Sequence, residues 1–154
     1  MGAGKSTIGR LVAESEGAPF RDLDEVIEWS VGMTIAGFFE RRGETAFREV
    51  EARILRDLVD PGVVLALGGG AVIDDASWQL VREHALTVWL DAPLDALLER
   101  SGGTSRPLLR GRTRRQIAEL LDARRRRYRE AAHRVDAGRP LGEVVAEVRR
   151  LWAA

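Results

Sequence analysis

The stretch MGAGKST, Met1 to Thr7, puts glycines, the ammonium of Lys5 and two hydroxyls side by side. Phosphate-binding loops have the form G-x-x-x-x-G-K-[ST]: backbone N–H groups wrap the phosphates, the lysine reaches the outer pair and the hydroxyl ligates Mg²⁺. Gly4, Lys5 and Ser6 fill the last three positions, while the first glycine of the pattern would lie ahead of Met1. Lys5 is also the only lysine among 24 basic side chains. A compact charge on a flexible stem fits between two phosphates where a planar guanidinium does not. Codon bias toward arginine, and a merely glycine-rich loop, are the alternatives.

Two further clusters could do chemistry. In FRDLD, Asp22 and Asp24 stand at the end of a short apolar run. If the run is a strand, alternation puts both carboxylates on one face, at the carboxyl end where open parallel sheets place ligands. They would suit Mg²⁺ and a substrate hydroxyl, or be two ordinary turn aspartates. GGG, Gly68 to Gly70, follows the continuous apolar run VVLAL. It brings bare backbone to a second strand end, where a ligand can approach closely, or makes a tight turn.

These groups need a scaffold, and the periodicity supplies one. Ser6 to Ser15 reads as a helix with Ile8, Leu11 and Val12 apolar, so its amino end would face an anion at the loop. Pro19 to Leu23 reads as a strand, Thr34 as a cap for a helix through Arg42, and Glu44 to Val59 as an amphipathic helix. Val63 to Leu67 and Leu86 to Leu90 read as strands buried on both faces, with a helix at Trp78 to His84 between them. A helix at Pro93 to Arg100, a lid at about 101–115, a long helix from Thr113 to Ala132, an edge strand from Arg134 to Ala137 and a closing helix from Pro140 to Trp152 complete the chain. Strand-like and helix-like periods alternate throughout, the pattern of a three-layer α/β/α sandwich around a mainly parallel sheet. The chain reads as a single domain, 1–154.

With 24 basic and 24 acidic residues there is no charge excess to wrap nucleic acid or coat an anionic membrane. No stretch reaches the ~20 apolar residues of a membrane span, and no secretory leader pattern opens the chain. The absence of cysteine rules out a disulfide or thiolate metal site and fits a cytoplasmic protein. Small-molecule chemistry by a monomer is the expectation.

MGAGKST, FRDLDEVIE, GETAFREVE, LALGGGAV, RPLL and the RRRRY helix, in this order and at about these spacings, resemble shikimate kinase over nearly the whole chain. The resemblance implies a P-loop fold like that of nucleoside-monophosphate kinases, with a five-stranded parallel sheet whose first strand is absent from this sequence. It implies transfer of the ATP γ-phosphoryl to the 3-hydroxyl of shikimate with Mg²⁺. It places Gly2, Ala3, Gly4, Lys5, Ser6 and Thr7 around the phosphates, with Ser6 on Mg²⁺ and Asp22 holding it through water. Asp24 then meets the reacting hydroxyl, to orient it or take its proton. Arg48 and Arg124 grip the shikimate carboxylate, and Gly69, flanked by Gly68 and Gly70, contacts the ring. Arg106 is a lid arginine reaching both substrates, Arg100 stacks on adenine and Pro140 lies near the other side of that base. Phe39, Phe47 and Glu51 fall on the pocket wall. A related kinase acting on gluconate, or an inactive P-loop remnant, is the competing reading.

Other features have ordinary explanations. Of Arg124 to Arg127 only Arg124 is given a role, since four consecutive helical positions point four ways. His84 and His133 read as helix-end residues, and Trp29, Trp78, Trp89 and Trp152 as packing. Arg110, Arg112, Arg114 and Arg115 read as a solvated face. Because the strand before the loop lies mid-sheet in this fold, Met1 is expected to be an internal methionine with about five to ten residues upstream, the length of a strand. Without it, buried unpaired backbone groups at ~1–3 kcal/mol each would make the chain unstable or rearranged.

Overall fold

Among the described residues four short strands carry the fold, in two parallel pairs, and helices cover both faces. The structure is a computed structural model describing residues 2–100 and 111–153. Most of the expected lid, 101–110 with Arg106, lies outside them. In chain order the elements are α1 (Lys5–Glu16), β1 (Phe20–Asp22), α2 (Leu23–Val31), α3 (Ile35–Leu58), β2 (Val64–Ala66), α4 (Asp75–His84), β3 (Val88–Asp91), α5 (Leu94–Arg100), α6 (Arg114–Tyr128), β4 (His133–Asp136) and α7 (Leu141–Trp152). β1 pairs with β2, Phe20 opposite Val64, and β3 pairs with β4, Val88 opposite His133. Both pairs are parallel, as short strands separated by helices must be.

β2 and β3 face each other across an apolar cavity of about 520 Å³. Val64 and Leu65 line it from β2, Val88 and Leu90 from β3, Ile8 and Val12 from α1, and Trp78 and Val81 from α4. This is why the two central apolar runs, expected to be wholly buried, are half-buried in β3 and in most of β2. Their apolar content still marks them as inner strands.

Each layer closes through its own stripe. On one face α1 packs on α7, and Ile8, Val12, Val135 and Val144 form a cluster that excludes water. On the other, α2, α3 and α4 bury Leu23, Ile27, Phe47, Ile54, Leu55 and Trp78. A third cluster joins Ala3 to Leu97 of α5 and to Ile117 and Leu121 of α6. α3 is broken at Gly43, whose φ of 78° and ψ of 175° are not helical, so the expected division into two helices holds. Thr34 caps it by accepting from the Gly37 N–H at 3.1 Å.

Several expectations need correction. The FRDLD strand ends at Asp22, and Leu23 begins a helix that the sequence reading omitted. Asp22 is the N-cap of α2, accepting from the Asp24 N–H at 3.0 Å, so the two aspartates are brought together by a cap and not by strand alternation. Trp29 does not pack: it is 84 % exposed, lying about 200° round α2 from the buried Ile27. His133 opens β4 and is not at a helix end; its N–H donates to the Thr87 carbonyl, which starts the β3–β4 ladder.

Helix α4 begins immediately beyond the glycine run and is fixed by Asp74, whose carboxylate accepts from the Ser77 N–H at 2.8 Å and is held below its ordinary pKa by that bond. Asp74→Ala should cost about 1 kcal/mol, lowering the melting temperature by roughly 2–4 °C. Thermal denaturation followed by circular dichroism measures it, and an unchanged midpoint would show that the cap contributes nothing.

Candidate active site

The carboxyl ends of the parallel strands gather the chemistry, because there the chain leaves the sheet in loops that keep their backbone groups exposed. Gly2 and Gly4 adopt left-handed φ values of 61° and 82°, which a side chain would strain. A Cβ on Gly2 would also strike the Leu97 carbonyl. Gly4 is the N-cap of α1 and offers no side chain to bond its first turn, so the positive end of that helix's dipole faces the loop without a side-chain cap. A cavity of about 430 Å³ opens there, lined by Gly2 through Ile8 and, from the far wall, by Arg100, Ala137, Arg139, Leu141 and Val144.

The structure thus brings Gly2, Ala3, Gly4, Lys5, Ser6, Thr7 and Arg100 to one cavity, as expected. Arg100 is pinned by donating to the Ala137 carbonyl at 2.8 Å. Ala3 is 5 % exposed and packs in the core as it lines the loop. Pro140 is not among the lining residues but serves as N-cap of α7; its neighbours Arg139 and Leu141 form that wall. Those two and Val144 escaped the sequence reading, although a proline at a helix start already marked the turn.

The Ser6 hydroxyl donates to the Asp22 carboxylate, which is 8 % exposed. This couples the first turn of α1 to the end of β1. A hydroxyl and a carboxylate are hard oxygen donors, a fit for Mg²⁺, which takes few protein ligands when phosphates and waters complete its shell. Among the described residues no group of three or more His, Cys, Asp or Glu side chains could enclose a metal by itself.

Asp24 opens onto a second group of residues. A Cβ on Gly68 would lie 2.7 Å from Asp24 Oδ1 and 3.3 Å from Glu51 Oε1, and a Cβ on Gly70 would collide with the Arg48 guanidinium. Glycine at 68 and 70 lets the turn, closed by the Ala71 N–H on the Gly68 carbonyl at 3.1 Å, nest among these charges. Arg48 is held from its own helix: it donates to Glu51 at 2.5 Å and to Glu44 at 3.2 Å. The spacing of Glu44, Arg48 and Glu51 is a helical ion-pair pattern that was readable in sequence. Phe47, at 3 % exposure, and Phe39 stack 4.7 Å apart behind it.

Arg124 faces this group from α6. It is 4 % exposed, its Nε has no hydrogen-bond partner, and among the described residues no carboxylate forms an ion pair with it. Its neighbours Arg125 and Arg127 instead pair with Asp91, Asp122, Asp75 and Glu130 at the surface. Burial weakens Arg124's hold on its proton, the Tyr128 oxygen opposes that, and the Arg48 charge adds to it. Burial likewise would lower Arg48, but the Glu51 and Glu44 carboxylates more than reverse it. The result is a pocket with two guanidinium groups and an unmatched hydrogen-bond donor, suited to a small anion.

Burial pushes the Glu51 carboxyl above its ordinary value of 4.5, and the Arg48 charge only partly draws it back. A group raised on folding stabilises fully below its unfolded pKa and loses that contribution as pH rises through its folded pKa. The wild type should therefore lose stability relative to Glu51→Gln as pH rises from 4.5. Melting curves of both proteins across roughly pH 4 to 8 test it; a wild type that gains on the variant over that range would contradict the burial argument.

The sequence model of the shikimate kinase family matches residues 1–151. The shikimate kinase of Salinibacter ruber is 42 % identical over 160 aligned positions, covering 96 % of this chain and 78 % of that protein. That of Gloeobacter violaceus is 43 % identical, covering 100 % of this chain and 89 % of the other. The crystal structure of shikimate kinase from Acinetobacter baumannii in complex with shikimate superposes with a TM-score of 0.90 at 31 % identity, covering 99 % of this chain and 88 % of that one.

Proposed function

The chain belongs to the shikimate kinase family and is a shikimate kinase of the P-loop fold, and we propose that its two pockets hold the two substrates. In this reading ATP lies in the cavity of the glycine loop and shikimate lies between Asp24, the 68–70 turn, the half-buried Arg48 and the buried Arg124. One observation carries the placement of shikimate. Arg124 is a buried cation with an unpartnered Nε beside a second guanidinium, an arrangement that is costly until a carboxylate enters.

Backbone N–H groups of Gly2 to Thr7 and the Lys5 ammonium cradle the phosphates, and Arg100 and the turn around Pro140 flank adenine. Ser6 and Asp22 are the residues that would hold Mg²⁺, which when bound neutralises phosphate oxygen charge. Arg48 and Arg124 grip the shikimate carboxylate, each charge-assisted bond contributing about 1.5–3 kcal/mol. That grip, with the backbone of Gly68, Gly69 and Gly70 against the ring, presents the 3-hydroxyl to the γ-phosphorus. Asp24 orients the hydroxyl and accepts its proton as the new O–P bond forms and the bond to the β-phosphate oxygen breaks, giving ADP and shikimate 3-phosphate. Phosphoryl transfer needs chiefly positioning and neutralised charge, which Lys5 and the lid residue Arg106 supply. The site of action is the cytoplasm, where ATP is available.

A coupled ADP-release assay with shikimate, gluconate and other small hydroxy acids tests the acceptor. Turnover with shikimate alone is expected, and turnover with another acid but not shikimate would overturn the reading. Arg124→Ala should weaken shikimate binding about tenfold or more and leave ATP binding unchanged. Calorimetry with each substrate separately reads this, and equal losses for both would remove Arg124 from the acceptor pocket.

A further inference from the structure

Tyr128 stands one helical turn beyond Arg124 on the same face of α6. Its hydroxyl donates to the Gly69 carbonyl at 2.7 Å, and its oxygen lies close enough to the Arg124 guanidinium to favour that cation's charge. The ring is fixed from behind, with the Trp89 indole centred 6.1 Å away. We propose that Tyr128 is a positioning residue for the acceptor site, tying the glycine turn to the helix that carries the buried arginine so that the ring contact and the carboxylate grip keep a set separation.

The inference rests on the reading that Arg124 and the 68–70 turn hold shikimate. Among the described residues no other side chain tethers the turn. The turn is glycine throughout, so it has no side chain to anchor itself, and Arg124 carries one unpartnered nitrogen. Without the Tyr128 hydroxyl the turn would lose its tie to α6 and could shift relative to Arg124. Burial raises the phenol above its ordinary range, so it remains a donor to Gly69 throughout ordinary working pH.

Tyr128→Phe retains the ring and removes only the hydroxyl. In steady-state assays of the full chain, KM for shikimate should rise roughly five- to tenfold, the range of one lost neutral hydrogen bond. KM for ATP should stay within about twofold and the melting temperature should hardly move, as an intact ring requires. Unchanged shikimate KM, or equal rises for both substrates with a lowered melting temperature, would overturn the inference. A cycle with Arg124→Ala separates the levels. If the tyrosine works through the arginine, Tyr128→Phe has a smaller effect in the Arg124→Ala background than in the wild type; full additivity refutes the coupling. Should Arg124→Ala itself leave shikimate affinity intact, the reading of the site fails. Should it lower affinity while Tyr128→Phe does not, the positioning role alone fails.

Discussion

Two guanidinium groups share one pocket with a single buried carboxylate between them. Arg48 has Glu51 as a partner, whereas Arg124 pairs with no carboxylate among the described residues and has an unpartnered Nε. Desolvated cations repel more strongly than exposed ones, so this arrangement must be held by the fold until an anion relieves it. The holding is visible in three elements. α3 supplies Arg48 with both of its carboxylates, α6 presents Arg124 and Tyr128 from one face, and the 68–70 turn fits between them only because it has no side chains. The proposed acceptor site is thus a strained electrostatic arrangement fixed by rigid helices.

The nucleotide side solves a different problem. There the attraction comes from backbone dipoles at the start of α1, and the fold must leave them free. Gly4 as N-cap offers no competing side chain, and the Ser6 hydroxyl turns away to Asp22. Asp22 at the same time caps α2, so one carboxylate ties the phosphate loop to the helix that carries Asp24. The two pockets are linked through that residue by two hydrogen bonds. Displacing α2 would disturb both, which explains why a helix that carries only one proposed site residue is anchored by two fully buried side chains, Leu23 and Ile27.

Much of this was legible because local chemistry left few choices. MGAGKST could only be a phosphate-type loop or a bare turn, and GGG after an apolar run had to bring backbone to a strand end. Gly43 divided α3 because no other residue tolerates its φ so readily. The reading failed where one residue serves two elements. In FRDLDEVIEW the alternation of the first residues hid Asp22 as a cap, so α2 was missed and Trp29 was assigned to packing when it lies on the outer side. Long-range contacts were invisible as well: nothing in sequence joins Tyr128 to Gly69, or Arg139 and Leu141 to a loop more than a hundred residues earlier. Membership of the family, in contrast, could be read from motif order alone, and the similarity over residues 1–151 bears it out.

The single lysine now has a physical context. Among 24 basic residues all the others are arginine, and the two proposed for the acceptor pocket are forks, Arg48 held by the Glu51 carboxylate and Arg124 buried. A fork is directional: it meets a planar carboxylate with two parallel bonds and, once fixed, rejects other shapes. A triphosphate undergoing transfer is not planar, and its charge moves from the γ- to the β-oxygens as the bond breaks. An ammonium on a flexible stem, starting from the first residue of α1, can follow that movement, with three donors and no preferred plane. The division of labour between Lys5 and the two arginines therefore follows the geometry of the anions they are proposed to meet: a fixed grip for the group that must not move, and an adaptable one for the group that does.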